Sequence, residues 1–288
     1  MTTSASARQR LLSQPISKVP EATALFWTIK ILTTGMGETA SDFMGTRAVA
    51  MAAVMVTFTV ILLVTALLWQ FRAERYVAPI YWLAIVMISV VGTMLSDGSR
   101  IALGISFFVS TVSFVIALTL VFTTWYRTEH TLSIHSIYTR RREAFYWCAV
   151  VATFALGTSA GDWTARTLNL GFLGSGVMFI AVILVPAIAH RWFGLNAIFS
   201  FWMAYVTTRP LGASFADWMA VPRHDGGLGW GTGPVTAVLG LVILALIGYL
   251  TWTGRDIVES LDVEISGTRL LGQPFSAGPD QPVDGFHA

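Results

Sequence analysis

The sequence predicts an all-α fold, a polytopic membrane helix bundle of eight transmembrane helices arranged as four same-orientation two-helix repeats. Three observations predict it. Of 288 residues, 55% are hydrophobic and 12% charged, with a mean hydropathy of +0.66, more apolar side chain than a soluble core of this size needs. Long uncharged runs recur, and crossing ~30 Å of hydrocarbon takes roughly 20 predominantly apolar residues. The chain also repeats itself, at a period that holds two helices. Composition excludes other classes. A net charge of +2, with the basic residues scattered through short loops, does not suit nucleic acid. The single cysteine, Cys148, excludes an internal disulfide framework and a cysteine-built metal site.

In chain order, residues 1–20 (MTTSASARQRLLSQPISKVP) are polar, with neither an apolar core nor a cleavage pattern. They are expected to form a cytoplasmic segment with no cleaved signal peptide. Spans follow at 48–71, 77–96, 101–126, 167–189 and 226–254, all of ample length. Those at 144–161 and 192–208 are short, and 22–44 carries Lys30, Glu38 and Asp42, so these three rest on the repeat. Repeats are expected at 21–75, 76–142, 143–195 and 196–254. Residues 255–288, with acids, Gly and Pro, read as a cytoplasmic tail with little core-forming capacity.

The repeat is carried by FWTIKILTTGMGETASD, YWLAIVMISVVGTMLSD, YWCAVVATFALGTSAGD and FWMAYVTTRPLGASFAD, which end at Asp42, Asp97, Asp162 and Asp217. In each, an aromatic residue precedes Trp, at Trp27, Trp82, Trp147 and Trp202, and glycine follows ten residues later, at Gly37, Gly92, Gly157 and Gly212. Asp closes each copy five residues after the glycine. Fifteen helical residues rise about 22 Å, so a Trp anchored at one membrane interface leaves its Asp just inside the other. Each glycine lies four residues before a second small residue (Ser41, Ser96, Gly161, Ala216), a pattern that lets helices approach closely in lipid. The motif helices are therefore expected to form the inner bundle.

Orientation follows from Lys and Arg in the loops. Twelve lie on the side of the N-terminus and four (Arg47, Arg100, Arg166, Arg223) on the other, which places both termini in the cytoplasm. Each repeat crosses twice, so all four share one orientation about an axis along the membrane normal.

On these motifs the chain resembles the bacterial family of membrane proteins built from four tandem two-transmembrane-helix repeats, each with a characteristic tryptophan. The likeness covers about residues 18–254. It implies the architecture and a bacterial cytoplasmic (inner) membrane, and brings no activity with it.

Candidate functional residues follow from charge in the membrane. Glu38 lies about 16 Å along its helix from Trp27, and Arg209 about 10 Å from Trp202. Both are near the midplane, where a charge costs at least ~2.5–3.5 kcal/mol on insertion scales and needs a partner or a watery cavity. In a closed four-fold ring the first and last repeats are neighbours, so the two are expected to pair. Lys30, three residues past Trp27, is expected to snorkel to the cytoplasmic interface. Pro210 marks an expected bend beside Arg209. Lys30, Thr34, Glu38 and Asp42, spaced by four, form a polar stripe about 18 Å long, suited to an ion path or to a buried interhelical network. Asp42, Asp97, Asp162 and Asp217 invite a cation site, with Glu38, Thr93 and Thr158 one turn earlier adding oxygens. The competing reading pairs each Asp with the arginine that follows it, at Arg47, Arg100, Arg166 or Arg223. Whether a metal binds is left open.

Enzyme signatures are missing: no HExxH, no phosphate-binding glycine loop, no GxSxG elbow, and no histidines at metal-ligand spacing. NLGFLGSG (169–176) and GGLGWGTG (226–233) read as loops leading into the next helix or as an external gate, not as nucleotide sites. The expectation is a transporter of a small solute or cation, open to proton coupling, working through intramembrane acids. It is not an enzyme, has no cofactor and binds no nucleic acid; its partners are the lipid bilayer and the transported solute, and its oligomeric state is left open. The alternative is a non-transporting scaffold or partner-binding membrane protein whose buried charges only fix helix packing.

Overall fold

The computed structural model describes residues 17–256, so the expectations for most of the N-terminal segment and for the tail lie outside the described residues. The described residues contain no strand and eight long helices: α1 (Ala24–Gly45), α2 (Val49–Arg72), α3 (Ala78–Leu103), α4 (Phe107–Glu129), α5 (Arg140–Asp162), α6 (Gly171–Phe193), α7 (Ala197–Ala220) and α8 (Thr232–Thr253). Local chemistry sets their ends. Thr23, Ser106, Thr139 and Asn196 each accept a hydrogen bond from a first-turn amide, which starts α1, α4, α5 and α7. Gly104, Gly194 and Gly254 adopt left-handed backbone and stop α3, α6 and α8.

The motif helices α1, α3, α5 and α7 form a ring in which each packs on the next and α7 closes on α1. The plain helices lie outside it. Each leans on the motif helix of the following repeat: α2 on α3, α4 on α5, α6 on α7, and α8 back on α1. They display Val49, Phe58 and Ile61 on α2, Ile116 and Leu120 on α4, Val185 on α6, and Leu241 and Leu244 on α8, with no protein to cover them. An apolar belt of this extent fits the lipid-facing surface of an integral membrane protein.

Six helices, all but α1 and α7, are long and apolar enough to cross a membrane on length and composition alone. The other two carry Lys30 and Glu38, and Arg209, and these charges are buried in the ring, so low hydropathy here records an inward polar face. The α3 span runs past its expected end at residue 96 to Leu103. The last span begins only at Thr232 instead of residue 226.

The glycines set the ring's register. A Cβ on Gly37 would strike Ser89, on Gly92 would lie 2.6 Å from the Phe154 Cβ, on Gly157 would strike Arg209, and on Gly212 would strike Thr34. Each struck residue stands eight positions before the Asp of the next repeat. The same notch is therefore used four times, and all four motif helices run parallel and level. A hydroxyl in the notch also reaches a carbonyl of the preceding helix: Ser89 Oγ donates to Thr33 O at 2.7 Å, and Thr34 Oγ1 lies 3.3 Å from Thr208 O.

The tryptophans form a second belt. Phe26 packs on Trp82 (ring centroids 5.6 Å apart), Tyr81 on Trp147 (5.6 Å), Tyr146 on Trp202 (6.1 Å) and Phe201 on Trp27 (5.6 Å). The residue before each Trp thus touches the Trp of a neighbouring repeat. The expectation that the four are membrane-interface anchors is corrected here. Trp82, Trp147 and Trp202 are buried and Trp27 is half-buried, because protein covers them instead of lipid: each meets a neighbouring aromatic ring, and Trp202 also packs on Phe122 and Trp125 of α4 and donates its Nε1–H to Leu132 O at 2.9 Å.

The notch geometry yields a stability prediction. Gly212→Val places side-chain atoms against Thr34 and the Ile31 carbonyl, whereas the Cβ position of Gly248 on α8 is open. In a thermal-denaturation series in detergent, Gly212→Val should lower stability by at least about 1–3 kcal/mol. Gly248→Ala should leave it unchanged or slightly raised.

Candidate functional site

The Gly157 notch admits the aliphatic stem of Arg209 and directs its guanidinium into the ring. There Nη2 lies 2.6 Å from Glu38 Oε2 and 2.7 Å from Thr158 Oγ1 and also contacts Thr93 Oγ1, while Nη1 donates to Thr34 O at 3.1 Å. The Thr93 and Thr158 hydroxyls in turn reach Glu38 Oε2 at 3.2 and 3.3 Å. Arg209 is fully buried and Glu38 nearly so. All four motif helices thus meet at one ion pair: α1 supplies the acid, α7 the base, and α3 and α5 the hydroxyls. Thr93, Thr158 and Glu38 occupy the same repeat position, four before Asp, and the fourth member there is Ala213. α7 continues through Pro210 as one helix, and a Cβ added at Gly161 would meet Pro210 in ordinary contact at 3.8 Å.

One turn further towards the helix ends lie the aspartates. Carboxylate oxygens of Glu38, Asp42 and Asp97 lie within 4.8 Å of one another. Asp217 is buried, with its Oδ1 free of any hydrogen-bond partner. Pairing with a following arginine is realised once, between Arg166 Nε and Asp162 Oδ1 at 2.7 Å. Elsewhere it is corrected: the Arg47 and Arg100 guanidiniums lie over Phe43 and Phe107, and Arg223 turns to Leu228 O. Aromatic rings thus take the Arg47 and Arg100 cations, and a backbone carbonyl takes that of Arg223.

Lys30 overturns its expectation outright. It does not snorkel: it is wholly buried, its Nζ without a hydrogen-bond partner, 4.0 Å from the Phe154 ring centroid and 4.1 Å from that of Tyr205. The aromatic belt closes the way to the interface, so the amine stays among π faces, which attract a cation. The aromatic belt also carries hydroxyls that the sequence did not single out. Tyr81 and Tyr146 share a hydrogen bond of 2.5 Å, and the Tyr205 hydroxyl has no partner. Their signal was available, since Tyr81 and Tyr146 are the aromatic residues of the repeat motif itself. A second buried network had no such signal. Lys18 Nζ reaches Glu143 Oε2 at 2.8 Å, and Gln70 Nε2 donates to Glu143 Oε1 at 3.2 Å, tying residues 17–18 to α2 and α5. Nearby, Tyr76 hydrogen-bonds Asp256, and burial pushes the Asp256 carboxyl above its ordinary range.

The glycine-rich segment after α7 caps that helix. Amides of Leu228, Gly229, Trp230 and Gly231 donate to the carbonyls of Trp218, Val221, Met219 and Ala220 at 2.7–3.0 Å, satisfying groups that a helix end leaves free. Gly226, Gly229 and Gly231 take positive φ to make the reversal. A surface hollow of about 450 Å³ beside this strap is lined by Pro222, Arg223 and Trp230 among others, and by none of the charged residues on the axis.

A family model described as a Repeat of Unknown Function (DUF347) matches the chain four times, over residues 25–76, 80–131, 145–195 and 200–256. No curated protein and no solved structure matches it.

The ion pair gives a clear prediction. Removing one partner leaves a buried charge, so Glu38→Met or Arg209→Met alone should cost about 3–5 kcal/mol in denaturant titrations. The double variant should be closer to wild type than either single one, and a double cost equal to the sum of the singles would show that the two do not interact.

Proposed function

We propose that this chain, which belongs to the DUF347 repeat family, is a transporter of a small solute or cation that works through its intramembrane acids and couples to protons. The carrying observation is the layering along the axis of the inner ring. Half-exposed Asp42 and Asp97 mark an acidic end, Glu38 and Arg209 close the ring one turn deeper, and beyond them Lys30 is buried without a partner. Such a series has the form of a site open to one side and shut to the other by a pair that can separate. A solute held by the acids competes with Arg209 for Glu38. An amine without a partner is suited to exchange a proton when that competition changes the charge beside it.

The site sits in a bacterial inner membrane with both termini cytoplasmic and the acidic end facing outwards, the sense that the loop arginines favour. The alternative, a scaffold with purely structural charges, draws support from the saturation of Arg209 Nη2 by three side chains.

Solute and metal-ion uptake by cells lacking the protein, complemented with wild type or single variants, separates the two. Glu38→Gln should abolish flux at wild-type expression and Asp42→Asn should reduce it, while Lys30→Gln should leave a residual flux that no longer varies with pH. Full complementation by folded Glu38→Gln and Asp42→Asn would sink the transport reading.

A further inference from the structure

We propose that Glu38, Asp42 and Asp97, with Asp217 from the fourth repeat, form a binding site for one hard divalent cation of the Mg²⁺, Mn²⁺ or Ca²⁺ class. This names the substrate class of the transport reading and rests on it for its role, though not for its existence.

Oxygen ligands sit about 2.0–2.6 Å from such ions, so two ligands on opposite sides of one ion are separated by roughly 4–5 Å. The three carboxylates supply oxygens no more than 4.8 Å apart, so one ion can touch all three without a helix moving. Asp217 is the independent sign of a ligand. It is only 6% exposed, and its Oδ1 accepts no hydrogen bond. It takes the repeat position of Asp42 and Asp97, on α7, which packs against α1 in the ring. A buried carboxylate oxygen left without a donor is costly, and a bound cation removes that cost.

Charge favours a divalent ion over a monovalent one. Among the described residues Asp42, Asp97 and Asp217 have no ion pair, and Glu38 shares only its Oε2 with Arg209, leaving Oε1 without a hydrogen bond. Four carboxylates against one guanidinium leave an excess of negative charge when ionised, which a divalent ion offsets further than a monovalent one. Ligand chemistry narrows the ion further. The cluster offers oxygen alone, with no thiolate or imidazole, which suits hard cations and not Zn²⁺ or Cu²⁺. Asp42 and Asp97 are half-exposed, so water can complete the coordination from the open end. Asp162 stands apart because Arg166 already holds it. The same repeat position therefore serves two purposes, ligand in three copies and ion-pair partner in one.

Mn²⁺ is the probe, because its electron paramagnetic resonance signal reports free and bound ion directly. The full chain, purified in detergent, should bind one Mn²⁺ per chain. Mg²⁺ or Ca²⁺ should compete, and Na⁺ at matched ionic strength should not. Asp42→Asn and Asp97→Asn should each weaken binding by at least about tenfold. Asp162→Asn should bind within about twofold of wild type. The proposal is overturned if the folded wild-type protein binds no Mn²⁺, if Na⁺ displaces it, if Asp97→Asn binds like wild type, or if Asp162→Asn is as weak as Asp97→Asn. Solute flux without Mn²⁺ binding overturns this site and leaves the transport reading standing. Mn²⁺ binding without flux does the reverse.

Discussion

Everything in the molecule depends on closing a ring of four parallel helices through one small notch used four times. The notch is a glycine, and what enters it is the residue eight positions before the next aspartate: Ser89, Phe154, Arg209 and Thr34 in turn. Lipid gives no hydrophobic drive for helices to associate, so close backbone approach and interhelical hydrogen bonds must hold the ring together. Ser89 supplies such a bond as it enters its notch, and Thr34 lies within reach of one. The aromatic belt repeats the arrangement at the other end, with Phe26, Tyr81, Tyr146 and Phe201 each laid on the tryptophan of a neighbouring repeat.

Asymmetry inside that frame creates the chemistry. Where three repeats place a hydroxyl or a ring in the notch, the fourth places arginine. Its stem fits because Gly157 leaves room, and its charge then has nowhere to go but the interior. The first repeat answers at the position where its siblings carry Thr93, Thr158 and Ala213, by carrying Glu38. Charge is thus introduced at the one seam where first and last repeats meet. Without ring closure both residues would be uncompensated in the membrane.

Two positions show the same residue type taking different roles by context. Asp162 is held by Arg166, while Asp42 and Asp97 lie together with Glu38 because the arginines that follow them rest on aromatic rings. Lys30 likewise shows burial overriding side-chain length. A lysine three residues from a tryptophan can snorkel when that tryptophan marks the interface, but here the tryptophans mark the inside of an aromatic layer.

The sequence by itself determined the helical class, the four repeats, the packing role of the glycines, and the pairing of Glu38 with Arg209, because periodicity and charge in a membrane are local facts with few solutions. It could not tell lipid from protein on a helix face, since both are apolar; that is why Trp82, Trp147 and Trp202 read as anchors and Lys30 as a snorkeller. It did not reveal the Lys18, Gln70 and Glu143 network, whose members lie far apart in the chain and carry no repeat signal. Nor could it say which aspartates share a site and which take an arginine. Only the tertiary structure decided those questions, because they depend on which side chains stand within a few ångströms across the ring, and that distance is set by closure.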